Sequence, residues 1–248
     1  MKTNLKKENP IGIFDSGIGG LTVAHAIKNH LPNEQLIYFG DTAHLPYGDK
    51  EPYSIKHYSV EIAKFLLERK CKLIVIACHT ASSIAYKEVK RIVGEQAIVI
   101  NVVDPVVKLM AKIEKSKAVG VIGTKGTIKS DVYRKKIGEE NNQLLVKSLA
   151  TPLLCPMIEE GFINDKISQT VIDSYLSDEK LSEIEHIILA CTHYPLIKKQ
   201  ISSYYKDQVN VIDSAEVVAL HVAQLLKEKG LLSEAKLLPH HFYVSDYT

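Results

Sequence analysis

One element is used twice in this chain, and that repetition constrains the fold more than any other feature. Ile74-Val-Ile-Ala-Cys78-His79-Thr80 lines up with Ile187-Ile-Leu-Ala-Cys191-Thr192-His193. Each is a strand-sized apolar run ending in a cysteine, then a threonine and a histidine in one order or the other. Two further landmarks recur in the same sequence order. Ile11-Gly-Ile-Phe-Asp15-Ser16-Gly17 corresponds to Val119-Gly-Val-Ile-Gly123-Thr124-Lys125, and Val102-Val-Asp104-Pro105 to Val211-Ile-Asp213-Ser214. Around these landmarks, short β-branched or aromatic runs predict strands at 11–14, 36–39, 73–77 and 98–103, then at 118–122, 144–149, 187–190 and 209–212. The stretches between them have helical spacing, as in the face Ile55, Tyr58, Ile62, Phe65 and Leu66. Strands alternating with helices indicate an α/β fold with a mostly parallel sheet. The expectation is two pseudo-symmetric domains, each with four strands flanked by helices and with an active site in the cleft between them.

In an open parallel sheet, ligands bind outside the carboxyl ends of the strands. Cys78 and Cys191 both stand at such ends, and two halves facing one another would put one cysteine on each wall of a cleft. That arrangement suits inversion of a stereocentre without a cofactor. One group removes the α-proton from one face, another delivers a proton to the opposite face, and the roles exchange for the other enantiomer. A thiol is suitable because its unperturbed pKa, about 8.5, can be tuned by neighbours toward working pH. Asp15 at the end of the first strand is read either as a helix N-cap ahead of Gly17 or as a proton partner of Cys78. His193 is either a hydrogen-bonded histidine ahead of Pro195 or the partner of Cys191. The duplication favours the functional reading of both. Ser16, Thr80, Thr124, Thr127 and Thr192 stand near predicted helix starts, where free N–H groups attract carboxylates, so an anionic amino acid is a natural ligand.

With 248 residues, 46% of them hydrophobic, the chain can bury more than one core. Its net charge of +2 carries no long basic run, so no nucleic acid is expected. The longest apolar runs are strand-sized and the charged N-terminus is followed by no signal-type apolar core, so neither a membrane span nor export is expected. A cytoplasmic enzyme follows as the expectation. The four cysteines have no CxxC or Cys/His zinc spacing, which predicts free thiols and no metal. Cys71 and Cys155 are read as small buried hydrophobes.

Five ordered motifs then carry a resemblance: Asp15-Ser-Gly-Ile-Gly-Gly20, Gly40-Asp-Thr-Ala-His-Leu-Pro-Tyr-Gly48, Ala77-Cys-His-Thr-Ala-Ser82, Gly123-Thr-Lys-Gly-Thr127 and Ala190-Cys-Thr-His-Tyr-Pro195. Together they resemble the bacterial glutamate racemase family from about Ile11 to Glu216. The resemblance implies a two-domain α/β fold whose C-terminal segment returns to the first domain, giving 1–103 plus 213–248 and 104–212. It implies supply of D-glutamate for peptidoglycan, no pyridoxal phosphate, no metal and a homodimer. Catalysis would fall on Cys78 and Cys191, supported by Asp15, Glu159 and His193, with Glu160 an open alternative to Glu159. Substrate contacts would fall on Asp15, Ser16, Pro46, Tyr47, Gly48, Thr80, Thr124, Thr127, Thr192 and His193, and on His79. The family usually has Asn at the position of His79. A neutral imidazole offers the same donor and acceptor to substrate but titrates, so an acid-side rise in KM is expected.

Three other readings compete. Gly17-Ile-Gly19-Gly20 after a strand, with Asp41 downstream, partly resembles a dinucleotide fingerprint, but Thr22 stands where its third glycine belongs. A racemase or isomerase of the same superfamily acting on aspartate or another acid would keep both cysteines. A non-catalytic protein retaining the fold to bind a partner would have no need of them. No activator-binding arm is expected before Ile11, and the tail after Gly230 is expected to pack on the first domain.

Overall fold

The structure, a computed structural model, describes residues 5–113, 118–234 and 238–247. Strands β1 (Ile11–Asp15), β2 (Leu36–Gly40), β3 (Leu73–Ile76) and β4 (Ile98–Asn101) build the first sheet, and β5 (Ala118–Gly123), β6 (Leu145–Ala150), β7 (His186–Ala190) and β8 (Asn210–Ile212) the second. A ninth strand, β9 (His241–Val244), joins the first. The orders are β4-β3-β1-β2-β9 and β8-β7-β5-β6, with every pair parallel. Superposing the sequence repeats puts β3 on β7, β1 on β5, β4 on β8 and β2 on β6, so the duplication read from residues holds strand by strand.

Parallel neighbours need crossovers, and these cover both faces of each sheet. On the first sheet, α1 (Leu21–His30) and α11 (Ser214–Glu228) cover one face, while α2 (Pro52–Glu68), α3 (His79–Ile84) and α4 (Tyr86–Val93) cover the other. On the second, α5 (Val103–Ala111) and α7 (Val132–Glu140) cover one face, while α8 (Leu154–Glu159), α9 (Lys166–Leu176) and α10 (Lys198–Tyr204) cover the other. The short α6 (Lys125–Ser130) follows β5. Leu73, Ile74, Val75 and Ile76 are all fully buried, which is why this strand reads as an unbroken apolar run. Each such side chain contributes about 1.5–3 kcal/mol. The predicted helical face holds, with Ile55, Ile62 and Leu66 buried on α2.

The chain returns to the first sheet at Asp213, whose side chain accepts from Ala215 N and caps α11. From there Val218, Ala219 and Val222 pack in one core with Ile11, Ile13 and Ile27. The expected four strands per half become five in the first sheet because the tail pairs along β2. At the sheet edge β9 is largely exposed, so it carries none of the burial pattern that marks the interior strands. No helix among the described residues is long and apolar enough to cross a membrane.

Candidate active site

The carboxyl ends of the two sheets face one another across a cavity of about 220 Å³. Ser16, Cys78, His79 and Thr80 line it from the first sheet, with Pro46, Tyr47 and Gly48 from the loop after β2. Thr124, Glu159, Cys191, Thr192 and His193 line it from the second. Every expected site residue except Asp15 and Thr127 therefore borders one space, and those two lie directly behind it.

Cys78 follows β3 and caps α3, its sulfur accepting from Ala81 N at 3.5 Å and donating to Ser16 Oγ at 3.7 Å. Burial, and then the charge of Asp15, push its thiol up to about 12, against the pull of its hydrogen bonds with Ala81, Ser16 and Thr80. Asp15 is itself fully buried. One carboxylate oxygen accepts from Gly17 N at 3.3 Å and Gly20 N at 2.9 Å, and the other from Thr192 Oγ1 at 3.5 Å. It thus holds the turn that carries Ser16, and it reaches Cys78 through charge. Burial raises its pKa, with the His193 charge and the backbone donors opposing.

The glycines of that turn have a steric purpose. A Cβ on Gly19 would lie 2.5 Å from His193 Cε1 and 2.7 Å from Thr192 Oγ1, so the first lobe's turn can touch the second lobe's wall only if this residue is glycine. The space a dinucleotide phosphate would need beside Gly19 is filled by the His193 ring. Asp41, the other half of that reading, is committed locally. It accepts from the Tyr47 hydroxyl at 2.5 Å and pairs with His44 Nδ1 at 2.8 Å, fixing the loop that carries Pro46 and Gly48. Tyr47 therefore presents its ring to the cavity wall, its hydroxyl being occupied.

Three hydroxyls meet between the lobes. Thr80 Oγ1 lies 2.8 Å from Thr124 Oγ1 and 3.1 Å from Thr127 Oγ1, and the latter two are 3.1 Å apart. Thr124 caps α6 by accepting from Thr127 N. A Cβ on Gly126 would lie 2.9 Å from Thr80 Cγ2, so this close approach also depends on a glycine.

On the second wall, Cys191 Sγ lies 3.6 Å from His193 Nδ1, and His193 Nε2 faces Glu159 Oε1 at 3.0 Å. Of the Glu159 and Glu160 pair, Glu159 borders the cavity and reaches the histidine. Cys155, read from sequence as a buried hydrophobe, instead borders the cavity with its sulfur 3.0 Å from Cys191 Sγ. Its position four residues before Glu159 on α8 puts both on one helix face, and that spacing was the available signal. The hydrogen bond with Cys191 pulls the Cys155 thiol down to about 6, against burial and with help from His193. Cys191 is pushed well up, by burial and then by Cys155. Burial works against the His193 imidazolium, but its bonds to Cys155 and Glu159 and the charges of Cys155 and Asp15 prevail, raising it to about 10.

Cys155, Cys191 and His193 offer ligand atoms within 4.8 Å of one another. Two thiolates sharing a tetrahedral zinc, each bond about 2.3 Å, stand roughly 3.8 Å apart. The observed 3.0 Å is a thiol–thiol contact, and the three fit a proton-sharing cluster better than a metal cage.

His79 departs from the sequence-based expectation. The residue borders the cavity, but both ring nitrogens are shielded and have no hydrogen-bond partner among the described residues. The ring stacks toward Tyr133, with centroids 6.4 Å apart. Burial alone lowers its pKa to about 3. A donor and an acceptor turned to substrate, with a charge titrating near neutrality, are not what this geometry provides. Packing across the lobe boundary has taken the ring instead.

Comparison with known proteins agrees with this architecture. The family model described as Asp/Glu/Hydantoin racemase matches residues 21–222. A glutamate racemase of Chlorobaculum parvum is 46% identical over 240 residues, covering 96% of this chain and 88% of that protein. The crystal structure of glutamate racemase from Francisella tularensis in complex with D-glutamate has a TM-score of 0.90 at 40% identity, covering 98% of this chain and 90% of that one. Glutamate racemase isoform RacE1 of Bacillus anthracis has a TM-score of 0.92 at 33% identity, covering 97% and 90%.

Proposed function

The chain belongs to the Asp/Glu/hydantoin racemase family, and on that premise we propose that it is a cofactor-independent glutamate racemase using Cys78 and Cys191 as paired acid and base. The single observation that carries this reading is that two strand-end cysteines, one from each sheet, border one cavity. A glutamate α-carbon held between them exposes its proton to one thiol and its opposite face to the other. Deprotonation by the thiolate on one side and protonation by the thiol on the other invert the centre. Reversing the roles runs the reaction the other way.

Burial holds both catalytic thiols toward the protonated form. An arriving ammonium group favours the nearby thiolate, so substrate itself helps to create the base. On the second wall the His193 cation, with Glu159 beside its Nε2, is placed to donate from Nδ1 to the Cys191 sulfur and so to stabilise the thiolate when Cys191 acts as the base. On the first wall Asp15 acts on Cys78 through its charge and through the turn that holds Ser16. The threonine hydroxyls at Thr80, Thr124 and Thr192 and the Ser16 hydroxyl are donors for the substrate carboxylates, with Thr127 backing them. Pro46, Tyr47 and Gly48 close the side of the cavity. The lobes are 1–103 with 213–248, and 104–212. In the cell the reading makes the protein a cytoplasmic homodimer supplying D-glutamate for peptidoglycan.

Turnover of the purified chain on L-glutamate, followed by circular dichroism beside L-aspartate, tests this directly. Loss of optical activity with glutamate and little with aspartate is the expected result. Preferential turnover of aspartate, or none of either by folded protein, overturns it.

A further inference from the structure

Cys155 was not needed to build the mechanism above, yet its sulfur stands 3.0 Å from Cys191 Sγ, only about 1 Å beyond a disulfide bond. From this contact, and from the cavity that opens onto it, we infer that Cys155 and Cys191 form a reversible dithiol switch that a hydroperoxide closes to a disulfide. Its effect on activity rests on the proposed role of Cys191, whereas the bond itself does not.

The two sulfurs differ in the way such a pair requires. Cys155 is partly exposed at the cavity wall, and its thiol is pulled down to about 6 by the bond to Cys191 and then by His193. Cys191 is buried beneath it with its thiol pushed up. An accessible thiolate with a protonated thiol at contact distance is the arrangement of a redox-sensing cysteine and its resolving partner. The other two cysteines lack it. Cys71 is buried against β1, with its thiol pushed up to about 12, and Cys78 has the Ser16 hydroxyl as its neighbour.

The chemistry balances with the hydroperoxide as the named oxidant. The Cys155 thiolate attacks the terminal oxygen, the O–O bond breaks, and the remaining alkoxide leaves as alcohol, or as water from hydrogen peroxide, after taking a proton. Cys155 is now a sulfenic acid. Cys191 sulfur then displaces its hydroxyl, the S–S bond forms, and water departs with the Cys191 proton. Two thiols and one hydroperoxide give one disulfide, one alcohol and one water, with two electrons passing from sulfur to oxygen. An external dithiol reverses the bond by exchange. While it is closed, Cys191 has no proton to exchange.

The test is to treat the reduced full chain with a small excess of hydrogen peroxide and to read thiols, mass and peptides. The four titratable thiols should fall to two, the intact mass should fall by two hydrogens, and a proteolytic map should yield a Cys155–Cys191 linked peptide. Racemase activity should drop roughly 10²-fold or more, the share that an acid–base group supplies, and return with dithiothreitol. Cys71→Ser should form the same bond, and Cys155→Ala and Cys155→Ser should form none. Four surviving thiols, oxygen adducts on Cys191 without the linked peptide, or loss of two of the three remaining thiols as a disulfide in the Cys155 variants would overturn the inference. A linked peptide from protein that is inactive on glutamate even when reduced would support the switch while refuting the functional reading.

Discussion

Lowering the pH from 7 to 5 should destabilise this protein through His79, a residue that leaves the resembled pattern and ends up sealed between the lobes. In the unfolded chain its imidazole accepts a proton near 6.5, whereas in the fold burial holds that protonation off until about 3. Between those values the unfolded chain binds more protons. The stability associated with the neutral ring is therefore full above 6.5 and is lost as the pH falls toward 3. Integrated from pH 7 to pH 5, the loss is about 2 kcal/mol, because each unit of pKa difference is worth roughly 1.4 kcal/mol. The assay is equilibrium unfolding in urea of the parent and of His79→Asn at both pH values. His193, whose raised pKa favours the folded state until the pH climbs through about 10, contributes equally to both proteins and cancels in the comparison. The parent should lose about 2 kcal/mol more than the variant. The KM for glutamate should have the same pH dependence in both, since the ring nitrogens do not reach the cavity. Equal acid destabilisation of parent and variant would refute the sealed ring, and an acid-side rise in KM confined to the parent would put the imidazole back on the substrate.

Other perturbations probe the chemistry. Cys78→Ser and, separately, Cys191→Ser should each cost about 10²- to 10⁴-fold in kcat in both directions, as a turnover needs a group on each face; near-normal turnover by either variant defeats the two-thiol mechanism. In deuterium oxide the product should carry solvent deuterium at the α-carbon, detected by mass spectrometry after a single turnover, and unlabelled product would mean internal return of the abstracted proton. Gly19→Ala sets a methyl 2.5 Å from His193 Cε1 and must push the lobes apart, so kcat/KM should fall on the order of 10²-fold with the fold intact by circular dichroism. Unchanged kinetics in that variant would mean the contact is not needed for catalysis.

The order of the first eight strands, the duplication and the positions of the two principal cysteines were legible in the residues alone. Those features are local. A β-branched run such as 73–76 encodes a buried strand in its own composition, and a residue at the end of a parallel strand is placed at the ligand-binding edge by chain direction alone. The same logic located Asp15, Thr124 and His193 correctly at strand ends. What faces what across the lobe boundary depends on how the two sheets dock. Cys155 looked like any small apolar residue until α8 turned it onto Cys191, and His79 looked like a substrate contact until α3 packed its ring toward Tyr133. The edge strand β9 escaped notice because its largely exposed residues carry no alternation of burial to read. Periodicity reports how much of a residue is buried within its own element. Which side chain it meets there depends on the docking of two sheets whose contacts are distant in sequence, and no local pattern encodes that.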